Sequence, residues 1–378
     1  MGSLWRRFLY RNVVGRVIAH RSRFSGTFIG SPCICRLSGT HFLVSHDLFG
    51  PKSREFERPE THIWETRDAG TTWYKLSVVY GAFWSQLFLH DGALYLFGTN
   101  RHHGFLVIRR STDGGMTWTE PKDAKSGLLR VGMFHMAPNP VVTRNGTLHF
   151  AIEFADGAVR EWGKQYGVCI VSVPVDVDLL DAAAWKFSPV LYYDPSYLQG
   201  NFGGWLEGNV TIGPDGTIFN LLRVEDASSF KEKAALVNFN SVKNVLSFNP
   251  ETDFVAFPGG SKKFSVLFDD ESSRYISLSN TISDTDRNIY ETASDQIRNT
   301  VTLVISSDLY TWKVVKVVLE SGDVRRTAFQ YISFAFDGAD IIFVSRTAAS
   351  DWTGGARSYH DANFLTFHRI ENFRQYLT

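Results

Sequence analysis

The chain has 378 residues, 44% hydrophobic and 14% aromatic, with 39 basic and 39 acidic side chains. Balanced charge gives no footing for non-specific nucleic-acid or membrane-surface binding, so a charged partner must be read by a local cluster. No apolar run approaches the ~20 residues of a membrane span.

The N-terminus, Met1-Gly-Ser-Leu-Trp-Arg-Arg-Phe8, lacks the apolar core and small-residue cleavage site of a leader. The expected location is therefore cytoplasmic, or secreted or periplasmic if a leader has been removed. The three cysteines, Cys33, Cys35 and Cys169, lie in apolar runs and read as buried thiols. Cys33 and Cys35 alternate on one strand, a poor geometry for a bridge, and no spacing suggests zinc. No cofactor is called for, and a structural or site cation such as calcium stays open. The sequence sets no oligomeric state.

Short segments rich in β-branched and aromatic residues, bounded by turn residues, predict an all-β chain of many strands. A spare strand falls near 13–19. The strands then group by fours. The first group is 32–36, 41–46, 62–66 and 73–79. The second is 85–90, 93–98, 105–110 and 118–120. The third is 139–143, 147–154, 166–173 and 185–190. The fourth is 209–213, 217–224, 233–238 and 246–249. The fifth is 263–269, 274–279, 299–306 and 312–319. The last has three strands: 331–336, 340–346 and 364–368. A single helical turn is expected at 178–184. The first-to-second turns carry Asp91-Gly92, Asn145-Gly146, Asp215-Gly216 and Asp337-Gly338, the strongest short hairpin signals.

Another turn recurs. Ser111-Thr-Asp-Gly-Gly-Met-Thr-Trp118 matches Thr66-Arg-Asp-Ala-Gly-Thr-Thr-Trp73, and Ser306-Ser-Asp-Leu-Tyr-Thr-Trp312 is a shortened copy. The Asp accepts bonds from main-chain N–H groups ahead of it. The Gly takes positive φ at no Cβ cost, and the Trp starts the next strand as a buried anchor. Repeated hairpins with a missing last strand and a spare first one fit a closed ring. The predicted fold is a single β-propeller over residues 1–378, of four-stranded antiparallel blades closed by an N-terminal strand. Six blades are counted, with seven open if the long third or fourth repeat hides another.

The Asp-Xaa-Gly-Xaa-Thr-Trp hairpins resemble the Asp boxes (BNR repeats) of sialidase-like propellers. That resemblance covers nearly the whole chain at the level of blades. It implies that the boxes mark the face opposite the site, so chemistry is expected where second strands end and first strands begin. The candidates for proton transfer there are His46, His135 and Glu207. Each could equally be a satisfied core residue or turn holder. Arg223 and Arg346 are either surface ion-pair partners or two forks clamping a sugar carboxylate. Trp84, Trp205 and Tyr331 are either packing or a stacking floor. His360 and Asp361 either cap a turn or reach the mouth. No metal ligand set is predicted.

Where sialidases carry Arg-Ile-Pro in the first blade, this chain reads Phe28-Ile-Gly-Ser-Pro32, without the Arg. Ser45-His-Asp47, Trp205-Leu-Glu-Gly-Asn209, Val344-Ser-Arg-Thr347 and His360-Asp-Ala-Asn363 are similar instead to propeller enzymes acting on rhamnose- and uronate-containing polysaccharides. That resemblance implies an oligo- or polysaccharide partner and cleavage of a glycosidic bond in an acidic glycan. The lyases of that group pair a His with a Tyr, and no Tyr stands beside His135 in the chain. The expected activity is thus an exo-acting glycoside hydrolase rather than a sialidase. β-Elimination next to a uronate, and a non-catalytic glycan- or protein-binding propeller, are the alternatives.

Overall fold

The computed structural model describes Tyr10 and residues 13–226, 231–282 and 293–377; the N-terminal segment read for a leader lies outside the described residues. Six antiparallel sheets form a six-bladed propeller. From axis to rim, blade 1 is Phe28–Arg36, Phe42–Phe49, Glu60–Thr66 and Tyr74–Tyr80. Blade 2 is Phe83–His90, Ala93–Thr99, Leu106–Ser111 and Leu128–Arg130. Blade 3 has a split inner edge, Phe134–His135 and Val142–Arg144, followed by Thr147–Phe154, Gly167–Pro174 and Lys186–Phe187. Blade 4 runs from Phe202–Ile212 through Ile218–Asp226 and Lys233–Asn240 to a split rim, Val245–Ser247 and Phe254–Ala256. Blade 5 is Ser265–Asp269, Arg274–Ser279, Thr300–Ser306 and Trp312–Glu320. Blade 6 is Ala328–Asp337, Asp340–Ala348 and Phe364–Ile370, completed at the rim by the N-terminal strand Arg16–His20.

The N-terminal strand pairs antiparallel with Phe364–Ile370, so the last blade is closed by the beginning of the chain and its edge is covered. Ile18 fastens this closure from an apolar layer shared by blades 6 and 1, with Phe42, Val44, Ile342, Leu365 and Phe367. Ile18→Ala should cost about 2–4 kcal/mol without touching the opposite end of the inner strands. Chemical denaturation followed by tryptophan fluorescence would read this as a lower midpoint at unchanged slope. Between the other blades, equivalent layers fill the gaps, the largest between blades 2 and 3.

Helix is confined, among the described residues, to 3-10 turns such as Ala182–Ala184, within the turn expected there. The repeated turn has the predicted wiring. Asp68 accepts from Thr72 N and Oγ1, Asp113 from Thr117 N and Oγ1, and Asp308 from Tyr310 N and Thr311 N. In each copy the indole Nε1 donates to a main-chain carbonyl three residues back: Gly70, Gly115 and Leu309.

Three strand expectations are corrected. The fourth strand of blade 2 is Leu128–Arg130, not 118–120. Pro121 has no N–H to extend a ladder from Trp118, so the chain turns around Asp123 and returns later. The inner strand of blade 3 is broken where 139–143 was expected to start, because Pro138 and Pro140 remove donors on both sides of Asn139. The inner strand of blade 4 begins at Phe202 rather than 209.

Candidate functional site at the inner-strand mouth

At the face opposite the repeated turns, the inner strands of blades 1, 2, 4 and 6 slip register at matching places. The slips fall between Ile29 and Pro32, Phe83 and Gln86, Leu206 and Asn209, and Gln330 and Ser333. A bulge bends a strand and re-aims one side chain. Here the re-aimed residues are Trp84, Glu207 and Tyr331, with φ of 50°, 58° and 54°. Bulky residues rarely adopt positive φ, and such strain collects at functional sites. In blade 1 the matching residue is Gly30. A Cβ there would lie 1.8 Å from Asp47 Oδ1, so the carboxylate of Asp47 fills the place a side chain would take.

Asp47 ties two of these bulges together. Its oxygens accept from Ser31 N at 2.5 Å and Trp84 N at 2.8 Å. Burial pushes its carboxyl up to about 6, against the pull of those N–H groups. The Glu207 bulge is held by a polar strut along the axis. Asn139 Nδ2 donates to the carbonyls of Glu207 and Gly208, Asn139 Oδ1 accepts from Ser265 Oγ, and Lys263 Nζ donates to Ser265 Oγ. Lys263 is fully enclosed, and that burial lowers its amine to about 7, although the charge of Glu207 opposes the shift.

Glu207 itself is buried. Burial would raise its carboxyl, but Arg223, His135 and Tyr331 outweigh burial and hold it below the ordinary carboxylate range. Arg223 Nη1 donates to Glu207 Oε2 at 3.0 Å, Nη2 to Glu225 Oε1 at 3.2 Å and Nε to Ser261 O at 2.8 Å. The guanidinium is held charged by the two carboxylates in spite of its burial. The Tyr331 phenol sits against Glu207. Its own pKa is raised by burial and by that carboxylate, and Arg298, Arg223 and Arg346 pull it back. Arg346 lies over the rings of Phe49 and Tyr331 at 4.3 and 4.9 Å and donates to His360 O. Burial lowers it to about 10, so it remains cationic at neutral pH. Arg298 lies 5.9 Å from the Tyr331 ring and donates to Gln330 Oε1.

The other flank is aromatic. His135 Nδ1 lies 2.7 Å from Glu153 Oε2, both groups buried, and Glu153 Oε1 accepts from Gly208 N. The Trp84 ring meets His135 edge-on at 4.4 Å, and Tyr166 stacks on its other side at 4.5 Å. The Tyr expected to be missing beside His135 is therefore present, brought in from blade 3 by the tertiary fold.

The predicted residues thus divide. Glu207, Arg223, Tyr331, Arg346, His135 and Trp84 come together. His46 does not. It faces the gap between blades 6 and 1, bonded to Asp47 O and edge-on to His62, and burial lowers it to about 3, so it stays neutral. The alternation of the strand aims Asp47 at the bulges and His46 away. Trp205 is likewise wholly enclosed, among Phe202, Tyr197 and Phe248, and is packing rather than a stacking floor. His360 reaches Arg346 by its main-chain carbonyl, while its ring and Asp361 bond to each other at 3.0 Å. No cluster of three or more His, Cys, Asp or Glu that could hold a metal ion occurs among the described residues.

Arg298 and Glu55 are additions. Arg298 precedes a third strand, where no end-of-strand rule looks. Glu55 lies in the loop after Phe49, 3.8 Å from His102 Nδ1, and accepts from Gly50 N. Burial raises its carboxyl, with Arg346 among the groups opposing.

No model of a known protein family matches the chain, and no curated protein matches it in sequence. Solved structures do match the fold. An α-L-arabinanase of Penicillium chrysogenum, complexed with arabinobiose, is 16% identical with a TM-score of 0.56, over 95% of this chain and 98% of that one. The GH93 α-L-arabinofuranosidase of Fusarium graminearum, also with arabinobiose, is 12% identical with a TM-score of 0.58, over 97% and 98%. A Trypanosoma rangeli sialidase in complex with sialic acid is 13% identical with a TM-score of 0.59, over 95% of this chain and 59% of that one.

Proposed function

We propose that the chain is a glycoside hydrolase that removes a terminal, carboxylate-bearing sugar from an oligo- or polysaccharide. One observation carries this reading: a buried Glu207 set against the Tyr331 phenol, with Arg223, Arg298 and Arg346 around the pair. Three guanidiniums beside one phenol favour an anionic substrate group. The kinds of protein sharing the fold, arabinan-cleaving enzymes and sialidases, support a glycosidase.

A phenol is a poor nucleophile until it loses its proton, and Tyr331 is held protonated at rest. Glu207 is placed to take that proton as Oη attacks the anomeric carbon; tyrosine nucleophiles are known among glycosidases. The bond to the leaving oxygen breaks as that oxygen receives a proton from a carboxylic acid. Glu55 suits this role, because its raised pKa keeps it protonated longer than an exposed glutamate. Both oxygens of Asp47 are taken by main-chain N–H groups, which leaves it a positioning role. Water then attacks with Glu55 as base, and Tyr331 recovers its proton from Glu207.

A pH profile follows. Glu207 must be ionised, so the acid limb falls below the ordinary carboxylate range. Glu55 must be protonated, so activity is lost as pH rises through its raised pKa. Glu55→Gln should abolish the basic limb and slow substrates with poor leaving groups far more than activated aryl glycosides. An unchanged basic limb would assign the acid elsewhere.

His135, oriented by Glu153 and stacked on Tyr166, is the observation that favours elimination as a second reading. A panel of acidic polysaccharides separates the two. Hydrolysis gives new reducing ends without ultraviolet absorbance, and elimination gives an absorbing unsaturated uronate. Neither signal from any acidic glycan would reject both and favour a binding propeller.

A further inference from the structure

The mouth is chemically two-sided. Blades 4 to 6 surround Tyr331 with guanidiniums, whereas blades 1 to 3 present rings. Phe56 and Trp162 are 63% and 44% exposed, large for aromatic side chains beside a buried site. They are not scattered singly. Phe56 lies 4.6 Å from His102, His102 meets His103 edge-on at 4.4 Å, and His103 faces Trp162 at 6.3 Å. The four rings form a shelf whose floor is Trp84, 4.6 Å from His102 and 5.7 Å from His103. Trp162 also meets His135 at 5.4 Å and Tyr166 at 5.2 Å, so the shelf runs without interruption into the Glu207 pocket.

The shelf carries no net positive charge. Burial, with His135 nearby, lowers His102 to about 4 and His103 to about 3, so both rings are neutral at pH 7. His103 Nε2 is engaged by Tyr166 Oη at 3.0 Å. The Glu55 carboxyl adjoins the shelf, 3.8 Å from His102 Nδ1, and offers no cation to pair with a second acidic sugar. Flat, neutral aromatic faces instead suit the C–H face of an uncharged sugar ring.

From this geometry we infer a second subsite, formed by Phe56, Trp162, His102 and His103 over Trp84, that stacks the neutral sugar ring on the leaving side of the bond. The inference rests on the reading of Glu207 and Tyr331 as the point of cleavage. It makes the preferred substrate an acidic sugar linked to a neutral one, rather than a run of acidic residues.

The test is direct binding, independent of turnover. Arabinobiose, cellobiose and lactose serve as neutral probes, titrated by saturation-transfer NMR into the full chain and into Glu207→Gln. At least one disaccharide should bind saturably, with equal affinity in both proteins. Trp162→Ala and Phe56→Ala should each weaken it at least tenfold, while Trp352→Ala, an exposed tryptophan outside the shelf, should not. Binding of none of the three, or full binding by Trp162→Ala, would overturn the subsite. Binding that persists in Glu207→Gln, alongside a Glu207→Gln protein of undiminished turnover, would keep the subsite and remove the catalytic reading instead.

Discussion

Glu207→Gln is expected to lower turnover by about 10²–10⁴-fold, the loss typical when a positioned base is removed. The amide keeps the shape of the side chain and an oxygen for Arg223, which also keeps its bonds to Glu225 and Ser261. What it loses is the capacity to take the Tyr331 proton. Tyr331→Phe should be as damaging, and the double variant no worse than either single one, because groups that act as a unit are non-additive. Thermal unfolding should register only a few degrees of change for Tyr331→Phe. Two independent losses that multiply in the double variant would separate the residues and end the nucleophile–base reading.

Arg223→Met should have the largest effect on stability, about 3–5 kcal/mol, because it strands a buried carboxylate. The pH dependence gives the sign. In the native protein Glu207 is held below its unfolded value, so its contribution is present above the unfolded pKa and is lost as pH falls through the lower folded one. Without Arg223 burial is opposed only by His135 and Tyr331, and the folded pKa rises. The contribution is then present at low pH and lost as pH climbs through the raised value. The gap in melting temperature between the native chain and Arg223→Met should therefore widen from pH 4 to pH 7. A constant gap would mean that Glu207 does not titrate with Arg223. The same variant should show no measurable cleavage, since the carboxylate left behind is protonated when buried and unpaired.

Much of the wheel was legible from local chemistry. The turn at Ser111–Trp118 repeats because one short wiring, Asp to the N–H groups ahead of it and indole to a carbonyl behind, closes each hairpin. Asp-Gly and Asn-Gly set the other turns, and β-branched and aromatic segments marked the strands between them. The misreadings have local causes too. A Trp after the motif usually starts a strand, and Pro121 cancels that for Trp118. His46 and Asp47 are adjacent and polar, and nothing in their types says which one faces the axis; register with Pro32 and His62 assigns His46 to the inter-blade gap.

By itself, then, the sequence determined the all-β class and the four-stranded repeat, while the structure settled six blades over seven; the Asp-box resemblance pointed to the face opposite those turns. The sequence also pointed to most of the charged residues that gather there, because they sit at strand ends that turn residues mark. Only the tertiary structure decided their roles. Three inner-strand bulges turn Trp84, Glu207 and Tyr331 inward, and a bulge is a matter of pairing between strands rather than of any one residue's preference. Arg298, Tyr166 and Glu55 come to the mouth from a third-strand edge and two loops, positions without a period to read. The pairing of Glu207 with Arg223 and Tyr331 spans blades 4 and 6, and the chain encodes that meeting only through closure of the ring.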